Sequence, residues 1–535
     1  MLININNLFH CPIIDYMKTS TRVIFSFLFF VACIPILASV FFTFDEFHDG
    51  WILSTIQQTR LSIDTGGNYP SNQYGSFWAI FGAVISKPFP LNNTLFVLRC
   101  VVLFSYFISF YLIYKIASRV FNVNVAIIAV IFFELVQPFS SGLGFVTWPS
   151  TFCIVFLLSS LLLMISGRDL GQSRGNLNIF LAGVLLIPII FSRAQIGILL
   201  ILFITIFFLL NHEYQNLFFF ILGFTIAMIS YFVFLVYLGW LGPSLNDEFR
   251  LGLLYVTNNQ FEGWNSKPIF TFLFTSVFFI VFLCKRPIIN FYLIRKRLFI
   301  LSISLFFFFP TIYLLIQGNS LIFSFILAFR RFWISMLLGS ILFWCFHFIR
   351  KYRTFEDKQK LLLIFSIANL SQIYPLFDHY HVWWGAAPGV ILLASNIGEI
   401  FLFISSFTFF RKQISQISSV CFTVFSIFLA TYALMTPNYE ALPNSITRFI
   451  KSDINTATKF TELNIFFSSN ITKGSTVLNM CDAATFFILN PNFKSSSRFY
   501  YLTPNILFLK DYRREVIETK PRYAILCNTR GSDRQ

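Results

Sequence analysis

Apolar runs of about 17 to 25 residues recur along this chain, each long enough to cross a hydrocarbon core of about 30 Å as a helix. The first is Val23–Phe44, and others read at 95–115, 121–138, 148–166, 177–192, 195–211, 216–239, 268–284, 298–316, 331–349, 360–375, 387–410 and 415–435. Lipid offers no partner for a backbone N–H or C=O, so such runs must satisfy their own hydrogen bonds as helices. The chain therefore reads as a polytopic α-helical membrane protein of about thirteen crossings. Composition agrees, with 12% charged residues against about 25% in soluble proteins. The 75 phenylalanines need no cofactor, since Phe serves as a lipid-facing or core residue.

Charge decides orientation. Basic residues are retained on the cytoplasmic side of spans, and Lys18 and Arg22 precede the first run without a small-residue cleavage site, so that run is a retained helix with a cytoplasmic N-terminus. Threading the spans from there puts Lys115/Arg119, Arg168/Arg174, Lys285–Arg297, Arg350–Lys360 and Arg411/Lys412 all on the cytoplasmic side. The net charge of +16 is thus explained by topology, and no basic groove with interleaved aromatics suggests nucleic acid. Gly318–Phe329, followed by Arg330 and Arg331, is too short to span and is expected to be re-entrant or interfacial.

The outer side then receives 45–94, 138–148, 240–267, 375–387 and the chain from about 436 onward. Within the first of these, Ile52–Ile63 is helical in pattern, Gly66–Pro70 is a turn cluster, and Ser76–Ile85 is expected to lie along the interface. Beyond Thr436 the composition changes. Ser475–Met480 and Tyr523–Cys527 read as buried strands and Ile446–Phe466 and Asn505–Glu518 as helices, which makes 436–535 a small extracytoplasmic α/β domain after a transmembrane domain of 1–435. Nine cysteines show no Cys-x-x-Cys spacing. Only Cys481 and Cys527 share a water-exposed region, either as a disulfide or as two thiols.

No phosphate-cradling Gly-x-x-x-x-Gly-Lys loop, His-Glu-x-x-His or Gly-x-Ser-x-Gly occurs, which removes the usual signatures of ATP-driven transport, zinc proteolysis and α/β-hydrolase chemistry. Polar groups gather instead at the outer ends of spans. Asp45, Glu46, His48 and Asp49 follow the first run; they are either a solvated loop cap or carboxylates desolvated enough to act as a base near neutral pH. Arg193 sits in a tight outer turn, as a snorkelling anchor or as a fork for phosphate. Asp378, His379 and His381 form a third cluster beside Trp383 and Trp384, which would make a normal interfacial belt. A divalent metal there would need a further ligand, which only the fold could bring from His48 or Asp49.

A single first span, an acidic pair opening a long outer loop, many further spans and an outer carboxy-terminal domain resemble the GT-C superfamily of integral-membrane glycosyltransferases. Asp45-Glu46-Phe47-His48-Asp49-Gly50, then Ile63-Asp64 and Ser71-Asn72-Gln73-Tyr74-Gly75, is similar to the first-loop pattern of bacterial proteins related to the protein mannosyltransferases and family 39-like transferases. Tyr374–His381 with Ala387-Pro388 resembles their late outer-loop motif. The resemblance implies a polyprenyl-phosphate-linked sugar donor, an inverting transfer to a lipid, polysaccharide or protein acceptor, and a bacterial plasma-membrane setting. Asp45 is by position the general base, with Glu46 and Asp49 as alternatives. Arg193, then Arg330 or Arg331, would meet the phosphate charge, with His379 and His381 beside donor phosphate or acceptor. His48, Gln73, Tyr74 and Asp378 would line the cavity. The competing reading is a transporter or flippase of a lipid-linked saccharide; it would predict internal repeats and charge near mid-span, whereas the sequence shows no convincing repeat and little mid-span charge.

Overall fold

Among the described residues the apolar runs fold as helices. The computed structural model describes residues 37, 40–42, 48–67, 69–70, 75–135, 149–169, 172–251, 321–351, 355–373, 379–405, 439–443, 449–480, 493–496 and 510–526. In chain order its helices are α1 (His48–Thr65), α2 (Ser76–Ser86), α3 (Thr94–Val120), α4 (Val123–Leu135), α5 (Pro149–Asp169), α6 (Gln172–Val184), α7 (Leu186–Ile190), α8 (Ala194–Leu210), α9 (Tyr214–Tyr237) and α10 (Leu241–Asn246). There follow α11 (Leu321–Lys351), α12 (Asp357–Leu370), α13 (His379–Ala386), α14 (Gly389–Ser405), α15 (Ile454–Asn470) and α16 (Lys510–Thr519). Among the described residues, four helical stretches are long and apolar enough to cross a membrane: Leu91–Val120, Pro149–Asp169, Ser173–Ile190 and Tyr214–Tyr237. The runs at 268–284, 298–316 and 415–435, and most of Val23–Phe44, lie outside the described residues, as do Cys481 and Cys527.

Two compact units make up the chain. One comprises 36–109, 142–260 and 436–535; the other comprises 1–35, 110–141 and 261–435. In the first, α1 packs on α2 through Ile52, Leu53 and Ile56, all buried. Arg60 of α1 fixes this arrangement at the carboxy end of α2, donating to the carbonyls of Ser86, Lys87 and Phe89 at 2.8–3.0 Å. Those carbonyls have no intrahelical donors, and a cation suits that end of the helix dipole. α1 stops at the turn cluster read from sequence, where Gly66 follows Thr65 and the Gly67 N–H returns to the Ser62 carbonyl at 2.9 Å. α2 buries Trp78, Ala79, Ile80 and Ala83, so it is a packed element of this unit.

α6 lies against both α5 and α9. Gly183 and Gly223 make the α6–α9 approach reciprocal: a Cβ on either would stand 2.1–2.2 Å from a carbonyl oxygen of the other helix. Small residues at such crossings let backbones approach where the hydrophobic effect between helices is weak. The run at 177–192 breaks between α6 and α7 because Pro188 has no N–H for the Val184 carbonyl and its ring crowds that turn. α9 exposes Ile226, Ile229, Val233 and Val236, the surface expected of a lipid-facing helix.

In the carboxy-terminal residues of this unit, β1 (Tyr439–Ala441) pairs antiparallel with β2 (Lys451–Asp453). β3 (Thr476–Met480) lies between β4 (Lys494–Ser495) and β5 (Tyr523–Leu526), parallel to both. The helix expected to start at Ile446 begins only at Ile454. Its N-cap Asp453 accepts from the Thr456 N–H at 3.0 Å, and Lys451–Asp453 before it is strand.

The second unit corrects two expectations. α11 is one continuous helix, so Gly318–Phe329 is not followed by a break, and Arg330 and Arg331 lie inside it. No proline or glycine interrupts 321–338, and arginine is a good helix former, so nothing stops the helix there. Trp383 and Trp384 are not an interfacial belt: both are buried, Trp383 stacked on Phe133 at 5.2 Å with its Nε1–H directed to the Phe133 carbonyl. The indole N–H finds a partner inside the unit, which removes the reason for an indole to seek the water boundary. Asn396 links α14 to α11, accepting from Trp344 Nε1 at 3.1 Å and donating to Ser340.

Candidate functional site

Asp45 and Glu46 lie outside the described residues, but the residues on either side are held by one side chain. Arg99 of α3 is fully buried; its Nη2 donates to Asp49 Oδ2 at 2.7 Å and its Nη1 to the Phe42 carbonyl at 3.1 Å. An unpaired guanidinium inside an apolar helix bundle is strongly unfavourable, whereas one with a carboxylate and a carbonyl on the same fork is compensated. The chain thus leaves Arg99 at Phe42 and returns to it at Asp49. A second hold comes from β2, where the Lys451 N–H donates to the Phe41 carbonyl at 2.8 Å and Phe42 bridges to Lys451. Phe41 and Phe449 both pack on Phe96. Asp49 is therefore occupied as the ion-pair partner of Arg99, in the first turn of α1, and His48 opens that helix. Gln73 and Tyr74 lie outside the described residues.

Arg193 stands at the N-cap of α8, half-buried, with its backbone N–H donating to the Ile189 carbonyl at 2.7 Å. Its Nε donates to Ser150 Oγ in the first turn of α5 at 2.6 Å. The sequence reading missed the group that faces it. Asp247 and Glu248 follow α10, both buried, and the charges of Arg193 and Glu248 act on each other. Burial pushes the Glu248 carboxyl up to about 8; Arg193 opposes that rise, Asp247 adds to it, and the Ala194 N–H donated to the carboxylate opposes it. Among the described residues no donor reaches Glu248 Oε2.

That oxygen packs on the backbone of Gly75. Gly75 has a φ of +83°, and a Cβ there would stand 2.4 Å from Glu248 Oε2 and 2.1 Å from the Phe191 carbonyl, so only glycine fits. The Phe191 carbonyl in turn accepts from the Phe77 N–H at 3.1 Å. Around this point Ser244 Oγ donates to Ser76 Oγ at 2.7 Å, and Ser76 Oγ shares a hydrogen bond of 2.8 Å with the Tyr231 hydroxyl. Tyr69 lies edge-on to Trp240, whose Nε1 donates to the Gly67 carbonyl. Burial, then the charge of Asp247, raises the Tyr69 hydroxyl well above its ordinary range. The result is a buried polar knot of two carboxylates, two tyrosines and two serines behind one half-exposed arginine. The one signal in the sequence was an acidic pair inside an expected outer region, 240–267, in a chain with 23 acidic residues.

The third cluster belongs to the other unit. His379 opens α13, Asp378 lies outside the described residues, and His381 is buried with its ring edge-on to Trp384 at 5.2 Å. Asn369 and Gln372 donate to the Trp384 carbonyl, at 2.7 and 3.3 Å, tying α13 to the end of α12. Among the described residues no three His, Cys, Asp or Glu side chains are grouped so as to hold a metal ion.

No family model and no curated protein matches the chain. Solved structures do. The crystal structure of the Archaeoglobus fulgidus oligosaccharyltransferase in complex with Zn and sulfate aligns with a TM-score of 0.50 at 14% identity, over 87% of this chain and 61% of that one. The archaeal oligosaccharyltransferase AglB from the same organism, in complex with an inhibitory peptide and a dolichol-phosphate, aligns with a TM-score of 0.47 at 14% identity, over 88% and 64%. At this identity the likeness is one of fold. The chain spans about three-fifths of the length of the oligosaccharyltransferase it aligns with, the aligned share of that protein being 61%.

Proposed function

We propose that this protein is a GT-C glycosyltransferase that moves a sugar from a polyprenyl-phosphate-linked donor to a lipid, polysaccharide or protein acceptor. In this reading it works at the extracytoplasmic face of a bacterial plasma membrane, with a cytoplasmic N-terminus and the residues from 436 onward outside. The observation that carries the reading is the likeness of fold to an oligosaccharyltransferase over 87% of the chain. The hold of Arg99 on both flanks of the acidic stretch adds local support, because a base acts only when its approach to the acceptor is fixed.

The chemistry follows from the residues. Asp45 takes the proton from the acceptor hydroxyl, the oxygen attacks the anomeric carbon from the face opposite the phosphate, and the bond to the phosphate oxygen breaks with its electron pair leaving on that oxygen. The anomeric centre inverts. Glu46 is the alternative base; Asp49 is better read as the anchor of the stretch, since its carboxylate is already paired with Arg99. The departing phosphate needs positive charge more than a proton. Arg193 is assigned that role, with His48, Gln73 and Tyr74 lining the site.

The test is a transfer assay in nanodiscs with radiolabelled polyprenyl-phosphate sugars and cell-envelope acceptors. Loss of a general base lowers rates by about 10²–10⁴-fold, so Asp45→Asn or Glu46→Gln is expected to fall by that much. Full transfer by both variants would overturn the assignment.

A further inference from the structure

The buried knot behind Arg193 is not used in the transfer step above, and its geometry asks for a role. Arg193 is half-buried at the N-cap of α8, with its Nη2 sealed from solvent, and Glu248 lies buried close by. Glu248 lies with its Oε2 against the backbone of Gly75 and its carboxylate beside the Ala194 N–H. The ionisable groups that face it are Arg193 from the turn before α8, Asp247 from its own segment, and Tyr69 and Tyr231 from the segment after α1 and from α9. Among the described side chains that face it, Arg193 is the cation. With both carboxylates ionised and a phosphate on Arg193, three negative charges would face one positive charge in a site closed to water on one side, which low dielectric penalises steeply.

We propose that Glu248 is the positioning partner of Arg193, and that a phosphate is bound at Arg193 together with a proton on Glu248. The inference rests on the assignment of Arg193 to the donor phosphate. When Glu248 is ionised its charge offsets that of the guanidinium; when Glu248 is neutral that offset is removed. Binding therefore draws up to one proton from solvent where the empty protein holds Glu248 ionised, and none where the carboxyl is already neutral. Burial already favours the neutral carboxyl in the empty protein, so the proton is cheap to add near neutral pH and becomes limiting as the solution turns alkaline.

The experiment measures affinity of the full-length protein in nanodiscs for a polyprenyl-phosphate-linked sugar, a phosphodiester whose charge is constant across the pH range scanned. Dimethyl phosphate serves as a soluble phosphodiester, to separate a lipid-borne headgroup from a free anion. Wild-type affinity is expected to fall with rising pH, approaching tenfold per pH unit, the limit for one linked proton. Glu248→Gln, which keeps the volume and the acceptor for Ala194, is expected to match wild type at low pH and to lose the pH dependence. Asp247→Asn removes a neighbouring like charge and is expected to move the midpoint to lower pH, a check that does not depend on how the Gln variant folds.

A wild-type slope retained in Glu248→Gln, or an unmoved midpoint in Asp247→Asn, overturns the proposal. Arg193→Gln separates it from the reading it rests on: loss of binding by tenfold or more with the slope retained in Glu248→Gln defeats only the Glu248 role, whereas wild-type binding by Arg193→Gln defeats the phosphate assignment itself. Binding of dimethyl phosphate with the same slope would assign the site to any phosphodiester; its failure to bind would show that the lipid chain brings the headgroup there.

Discussion

Two arginine–carboxylate pairs in the same unit are built in opposite ways. Arg99 and Asp49 are both sealed from solvent, 2.7 Å apart, and the second arm of the guanidinium closes on the Phe42 carbonyl. Arg193 is half-exposed, hydrogen-bonded sideways to Ser150, and faces a carboxylate whose Oε2 no donor reaches among the described residues. The first pair is sealed from solvent and acts as a fastener. The second retains a titratable carboxyl beside a cation on a half-buried side chain, which suits a ligand site. The difference lies in the surroundings of the arginine more than in the pair, because solvent access decides whether its charge is available to anything else.

The comparison is broken most forcefully at Arg99. Arg99→Met leaves Asp49 buried without its cation, and thermal or denaturant unfolding in detergent is expected to show a loss of about 3–5 kcal/mol. Adding Asp49→Leu should recover much of it, since an apolar pair of similar volume tolerates burial; no recovery would mean that Arg99 does not act through Asp49. Gly75→Ala tests the packing of the second pair. The left-handed backbone alone costs a non-glycine residue about 1–3 kcal/mol, and the clash with the Phe191 carbonyl adds to it, so the variant should melt lower and bind phosphodiester less tightly.

A smaller, pH-dependent effect is expected from Glu248→Gln. The folded carboxyl binds its proton up to about 8 against an ordinary value of 4.5, so between those values the folded state holds more protons than the unfolded one. The stability this contributes is present at and below the lower value and is lost as pH rises to the higher one. The melting temperature of Glu248→Gln relative to wild type should therefore climb between pH 5 and pH 8, and a constant difference would contradict the buried neutral carboxyl. The weakest effect belongs to an exposed pair. Lys87 and Asp64, 56% and 38% exposed, lie 2.5 Å apart, and Lys87→Ala should cost about 0–1 kcal/mol in the same unfolding measurement.

Legibility followed the physics of each signal. Lipid crossing demands long apolar runs, so α3, α5 and α9 could be placed within a few residues from composition alone. Turn chemistry at Gly66 and the strands at 476–480 and 523–526 were equally local and equally readable. The interruption at Leu185 was also written in the sequence, in Pro188, but hydropathy averaged across it. Arg99 was passed over because one cation in a run of apolar residues barely changes hydropathy, although a lone charge within a span requires a buried partner. That partner, Asp49, is 50 residues away in the chain, and only the fold brings the two together. The same holds for Glu248, whose neighbours Tyr69 and Gly75 come from the connection between α1 and α2 and Arg193 from the turn before α8. Trp383 and Trp384 were misread because aromatic pairs at span ends are common at interfaces, and local sequence does not show that Phe133 supplies the acceptor.

The measurement that bears most directly on the account is the anomeric configuration of the product, read by NMR after the purified protein is given a polyprenyl-phosphate-linked sugar and acceptor in nanodiscs. A displacement assisted by one base predicts a new glycosidic bond whose configuration is opposite to that of the donor. Retained configuration, or sugar carried across a bilayer with no glycosidic bond formed, would contradict it.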